Sequence, residues 1–164
     1  MAMTMTGLVM LPADRATVWA ALNDPEILKR SIPGCQELDK TDETEFTATA
    51  KVAVGPVKAT FKGKVNLTDI DPPNGYRISG EGQGGVAGFA KGGAKVQLAD
   101  GDNGGTQLSY DVEAHVGGKL AQLGGRLING VAKKYADEFF TNFAKALAPG
   151  EAAPVKAEHI VSDA

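Results

Sequence analysis

One cysteine, Cys35, one tryptophan, Trp19, and two histidines, His115 and His159, are all that this 164-residue chain holds of those three residue types. A lone thiol excludes an internal disulfide and, with so few histidines, supplies no metal cluster, which suits a reducing cytoplasm. An excess of basic charge is also missing. The chain carries 17 Lys and Arg against 20 Asp and Glu, a net charge of −3, without the electrostatic footprint that nucleic acid requires. No apolar run approaches the roughly 18 residues of a spanning helix. Residues 1–10 lack the basic start of a signal peptide. The length fits one domain. Abundance lies elsewhere, in 21 glycines and a hydrophobic fraction of 43%, the latter ordinary for a folded globular chain.

Along the chain, Met3–Leu11 has the alternating, β-branched character of a strand. Asp14 is placed to cap a helix over Arg15–Asn23, with Val18, Trp19 and Leu22 at helical spacing. Asp24-Pro25 caps and opens a second short helix, closed by Ile32-Pro33-Gly34. From Cys35 to Val116 the period becomes two, with turns at Gly55-Pro56, Asp71–Gly75 and Asp100–Gly105. Gly117-Gly118 and Pro149-Gly150 then bracket a long helix over Lys119–Leu147. An antiparallel sheet with one apolar face must be covered, and that helix is the only long element able to do it. The expectation is an α+β fold: a curved antiparallel sheet of about seven strands wrapped around a long C-terminal helix, with two short helices after strand 1. Residues 1–147 would form the domain and 148–164 a flexible polar tail.

The five clear strands place 25 residues on the inward face, and ten of them are Gly or Ala. Small residues on a curved sheet either let the helix approach closely or leave a cavity, and the cavity is the preferred expectation. On those strands no Asp, Glu, His, Lys, Arg or Cys has inward parity; the polar groups there are the hydroxyls of Tyr76 and Tyr110. General acid–base chemistry needs a titratable group within reach of substrate, so the cavity should be apolar and non-catalytic. His115 has outward parity and His159 lies in the tail. Ligand contact is expected from Phe46, Phe61, Ile78, Phe89 and Tyr110 on the strands and from Leu123, Leu127 and Ile128 on the helix.

At about 100° per residue, Ala121, Gly125, Ile128, Ala132, Tyr135, Phe139 and Phe143 share the helix face turned to the sheet. Its small first half would widen one end of the cavity and its aromatic second half would plug the other. Leu120, Leu123, Leu127 and Val131 form a second stripe, to be packed on short helices or loops, or left as a patch for a partner or a membrane surface. Gly80–Gly85 matches G-x-G-x-x-G, but strand signal resumes after it, so bends in a sheet explain it better than a dinucleotide site. Cys35 has no base nearby, and Lys51, Lys58, Lys62 and Lys64 read as a solvated face, with an anionic partner as the alternative.

Several strings together carry a resemblance: Gly7-x-Val9, then Leu11-Pro12-Ala13-x-Arg15-x-x-Val18-Trp19-x-Ala21-Leu22-Asn23-Asp24-Pro25, then Ile32-Pro33-Gly34-Cys35. With the Lys64-Val65 strand, the glycine-rich segment 80–93 and the stretch ending at Arg126, residues 3–147 resemble the CoxG family, named for the G component of carbon monoxide dehydrogenase. That family is part of the START-like, polyketide-cyclase-like (SRPBCC) helix-grip superfamily. The resemblance implies a helix-grip fold with a lipophilic cavity and no established catalytic residues. It implies partnership with a molybdenum hydroxylase of the carbon monoxide dehydrogenase type, contact with the inner membrane face and a connection to the quinone pool. A quinone or similar lipid would be the natural occupant, with no covalently bound cofactor. Family members often carry a longer, membrane-engaging C-terminal extension; here membrane contact would fall to the folded domain or be transient. The resulting expectation is a non-catalytic accessory protein. A docking protein without ligand, or a cyclase- or hydrolase-like enzyme, are the alternatives.

Overall fold

Residues 1–148 and 157–163 are described by the computed structural model. Strand β1, Ala2–Leu11, leads into helices α1, Arg15–Leu22, and α2, Pro25–Ser31. Both helices start where the sequence indicates: an Asp14 side-chain oxygen accepts from the Thr17 amide at 2.8 Å and an Asp24 oxygen from the Glu26 amide at 2.9 Å. These contacts satisfy backbone donors that the first helical turn leaves open.

Six strands then run in sequence: β2, Cys35–Asp42; β3, Glu45–Val54; β4, Val57–Asp71; β5, Gly75–Gln83; β6, Phe89–Asp100; and β7, Thr106–Gly117. They form an antiparallel meander, and β1 closes on β7 with Gly7 opposite Tyr110. The inward parity holds on every strand, with Phe46, Leu67, Tyr76, Val96 and Leu108 buried and Lys51, Lys58, Lys62 and Lys64 exposed on the other face.

Two expectations are corrected. The last helix is not continuous: a four-residue turn of helix, α3, Lys119–Gln122, is separated from α4, Gly125–Leu147, at Gly124. Gly124 has φ +90° and ψ 155°, a conformation that side chains rarely allow. Nor is all of 148–164 a loose tail, because Ala157–Asp163 forms β8 and pairs antiparallel with β1, making an eight-stranded sheet. Pairing gives β1 hydrogen-bond partners on the edge that β7 leaves open. The rest of the expected tail after Ala148, residues 149–156 and 164, lies outside the described residues.

Two apolar clusters fill the space between sheet and helix. The larger joins α1, most of the strands and the second half of α4, with Phe143 fully buried. The smaller joins Met3, Val54, Val116, Leu120 and Ile128 at the opposite end. No helix among the described residues is long and apolar enough to cross a membrane.

Candidate functional site: an apolar cavity under the last helix

A cavity of about 350 Å³ lies inside the larger cluster. Met5, Leu108, Tyr110 and Val112 form its floor on β1 and β7; Val65, Leu67, Tyr76, Ile78, Ala94 and Val96 continue it across β4, β5 and β6. Phe46 and Ala48 on β3 and Leu38 on β2 curve up as one wall. Leu22, Leu28 and Ile32 come from the α1–α2 region, and Ala136, Phe139 and Phe140 of α4 close over the top. No charged, amide, hydroxymethyl or thiol side chain lines it. Its polar side-chain atoms are two phenol hydroxyls.

Both phenols are held as neutral groups. Tyr76 is buried with its ring 5.3 Å from that of Trp19, and burial pushes its hydroxyl above the ordinary tyrosine range. Burial, and then the charge of Asp137, does the same to Tyr110.

The Tyr110 ring lies along the cavity floor, and its hydroxyl is directed across β1 toward β8. Its ring occupies the place where a Cβ on Gly7 would stand, so the absence of a side chain there lets the ring cross β1. The hydroxyl thereby reaches His159 Nδ1 on β8, the residue directly opposite Gly7. His159 is 4% exposed and its ring stacks on Phe140, with centroids 5.7 Å apart and planes 15° apart. Its Nε2 stands 3.1 Å from Asp137 Oδ1, off the line needed for a good hydrogen bond. Burial, the largest influence, lowers the basicity of His159, while Asp137 opposes and Lys133 adds to that effect. A neutral imidazole with its proton on Nε2, facing Asp137, leaves Nδ1 to accept from the Tyr110 hydroxyl.

Of the expected ligand residues, Phe46, Ile78 and Tyr110 line this cavity. The other five are not there. Ile128 is buried in the smaller cluster, with Phe61 and Leu123 packed against it, while Phe89 and Leu127 are 38% and 37% exposed. The aromatic half of α4 roofs the cavity, and the small-residue end is the filled one. Glycines bring neighbouring strands of the sheet together: a Cβ on Gly92 would collide with the Glu113 carbonyl of β7, and one on Gly63 would stand 3.0 Å from the Glu81 carbonyl of β5. Large side chains such as Phe46, Tyr76 and Phe140 instead hold helix and sheet apart. Sequence parity found the inward face but could not rank its two ends. His159 escaped it because a seven-residue edge strand, distant from β1 in sequence, has no local pattern beyond Ile160-Val161 to mark it.

A bent antiparallel sheet gripping a C-terminal helix over an internal apolar cavity defines a helix-grip, START-like protein. Solved structures agree in fold. A conserved protein from Geobacillus kaustophilus is 32% identical, with TM-score 0.85 over 95% of this chain and 98% of that one. The ZhuI aromatase/cyclase from Streptomyces sp. R1128 is 13% identical, with TM-score 0.64 over 90% and 94%. Ara h 8.0201 is 21% identical, with TM-score 0.61 over 90% and 98%. Among curated proteins none matches. The family model for CoxG, the G component of carbon monoxide dehydrogenase, matches residues 7–148. The chain belongs to that family.

Proposed function

We propose that this protein is a non-catalytic lipophile-binding accessory of a carbon monoxide dehydrogenase-type molybdenum hydroxylase. A quinone is the favoured ligand, and the role is to connect the enzyme with the membrane quinone pool. Family membership supports the link to carbon monoxide dehydrogenase. The observation that carries the ligand is the cavity itself: about 350 Å³ with an aliphatic and aromatic lining. That volume is at the lower end of the roughly 300–1,000 Å³ typical of small-molecule sites. It accepts a ring with a short stretch of chain and leaves the rest of a long isoprenoid outside. Affinity would come from burial of apolar surface, at about 25 cal/mol per Å².

A cyclase-like enzyme is the second reading, favoured by the Tyr110–His159–Asp137 chain beside the cavity wall. Against it, the Tyr110 hydroxyl is committed to His159, and no acid, base or nucleophile other than the two phenols is in the lining.

Trp19 supplies the test, being the chain's only tryptophan and in ring contact with the cavity residue Tyr76. Decyl-ubiquinone or a short-chain menaquinone should quench its fluorescence saturably at micromolar concentration and raise the melting temperature. Neither quenching nor a thermal shift with either compound would overturn the ligand assignment.

A further inference from the structure

The chain has 3 tyrosines, and their hydroxyls are used differently. Tyr135, on α4, accepts from the Ala53 amide at 3.1 Å and donates to the Ala53 carbonyl at 3.3 Å, which ties α4 to β3. The Tyr110 hydroxyl is committed to His159. Tyr76 is 6% exposed, yet among the described residues its hydroxyl has no hydrogen-bond partner. Burial alone acts on its proton affinity, without a neighbouring charge or hydrogen bond. A buried polar group in that condition bears its whole desolvation cost, and native folds seldom leave one so without a reason.

Tyr76, Val96 and Tyr110 stand in one row across β5, β6 and β7, which puts the two phenols about 10 Å apart at the backbone. The Tyr110 hydroxyl leaves this row toward β8, whereas the Tyr76 ring packs beside Trp19 of α1. Among the described residues, the cavity lining therefore offers one free polar side-chain atom, on its α1 side. Water suits that atom poorly, because a buried water is held by about two to four polar partners. A ligand oxygen needs only the one. A phenol donates better than it accepts, since its ring draws on the oxygen lone pairs. A ligand hydroxyl meeting it would leave one O–H of the two unpaired, whereas a carbonyl brings an acceptor and no donor.

We infer that Tyr76 orients the cavity's ligand: its O–H donates to a carbonyl oxygen and turns that end of the molecule toward Trp19. The cavity thereby selects an apolar carbonyl compound over the corresponding alcohol. On the ligand-carrier reading, on which this rests, the oxidised quinone is the better occupant and the quinol, with its hydroxyl donors, the poorer one.

Calorimetric titration of the full chain with acetylnaphthalene, with the alcohol formed by reducing its carbonyl, and with ethylnaphthalene tests the assignment. The native chain should bind the ketone several-fold more tightly than the alcohol. Tyr76→Phe keeps the ring and its contact with Trp19 and breaks no hydrogen bond, so without ligand it should melt no lower than the native chain. It should bind the ketone about three- to tenfold more weakly and the hydrocarbon no more weakly. Tyr135→Phe loses a phenol outside the cavity and should keep the native affinities. An alcohol bound as tightly as the ketone, equal ketone affinity in the native chain and Tyr76→Phe, or equal losses for ketone and hydrocarbon would overturn the role given to Tyr76. Decyl-ubiquinone separates that role from the reading beneath it. If the quinone binds the native chain and Tyr76→Phe alike, the role of Tyr76 falls and the carrier stands. If the ketone is discriminated but the quinone is not bound, the quinone falls and the role of Tyr76 stands. Binding of none of these compounds overturns both.

Discussion

Gly7, Tyr110 and His159 form one row across β7, β1 and β8, and each depends on the next. Without a Cβ at Gly7 the Tyr110 ring can lie across the strand; lying there, its hydroxyl reaches His159. His159 in turn is enclosed by Phe140 of α4 and is held neutral by burial. Its charged neighbours are Asp137 and Lys133, both on α4. Detachment of β8 would return the imidazole to water and to its ordinary proton affinity. Protonation therefore favours the detached state. The docking of β8 is expected to be fully stable above about pH 6.5 and to weaken as the pH falls below that value. Amide exchange of residues 157–161, corrected for intrinsic rates, should accelerate between pH 7 and 5 in the native chain. In His159→Leu it should show no such step. Equal acid sensitivity in both would place the cause elsewhere. Tyr110 was legible from strand parity, whereas its partner was not, because the parity of an eighth strand is meaningless until the strand is known to pair.

At the scale of the element, the two short helices were fully legible, since Asp14, Asp24 and Pro25 act within one turn of themselves. The meander was legible for the same kind of reason: alternation and turns are local. The final helix was not, because its apolar spacing continues through Leu120, Leu123, Leu127 and Val131 whether or not the axis breaks. The break rests on one backbone conformation at Gly124. A Cβ there would meet nothing within 4 Å, so its cost is conformational alone. Gly124→Ala should lower stability by about 1–3 kcal/mol. Gly130 lies inside α4, also with open space around a Cβ, and Gly130→Ala should raise stability by up to about 1 kcal/mol. Denaturant titration of the pair checks both signs. Similar effects for the two would mean that the helix passes smoothly through 124.

Across the whole molecule, the grip of sheet on helix produces two unlike ends. Where inward residues are large, helix and sheet stand apart around an apolar cavity; where they are small, the interior is filled, and Phe89 and Leu127 stand partly exposed outside it. Both ends are written in the sequence as side-chain volume, but their placement required the register of the strands and the direction of α4. The proposed function rests on the first of these ends, which would hold a lipophile. Ala136 offers the most direct test of the cavity. It lies on α4 at the cavity roof between residues that stay in place, so a phenyl ring there would occupy the space without removing any contact. Native mass spectrometry of gently extracted protein, with solvent extraction of any bound lipid, should find a quinone or isoprenoid on the native chain. Ala136→Phe should be folded and empty. A native chain that carries no lipid and takes up none from added menaquinone, or an Ala136→Phe chain that retains the same ligand, would contradict the account.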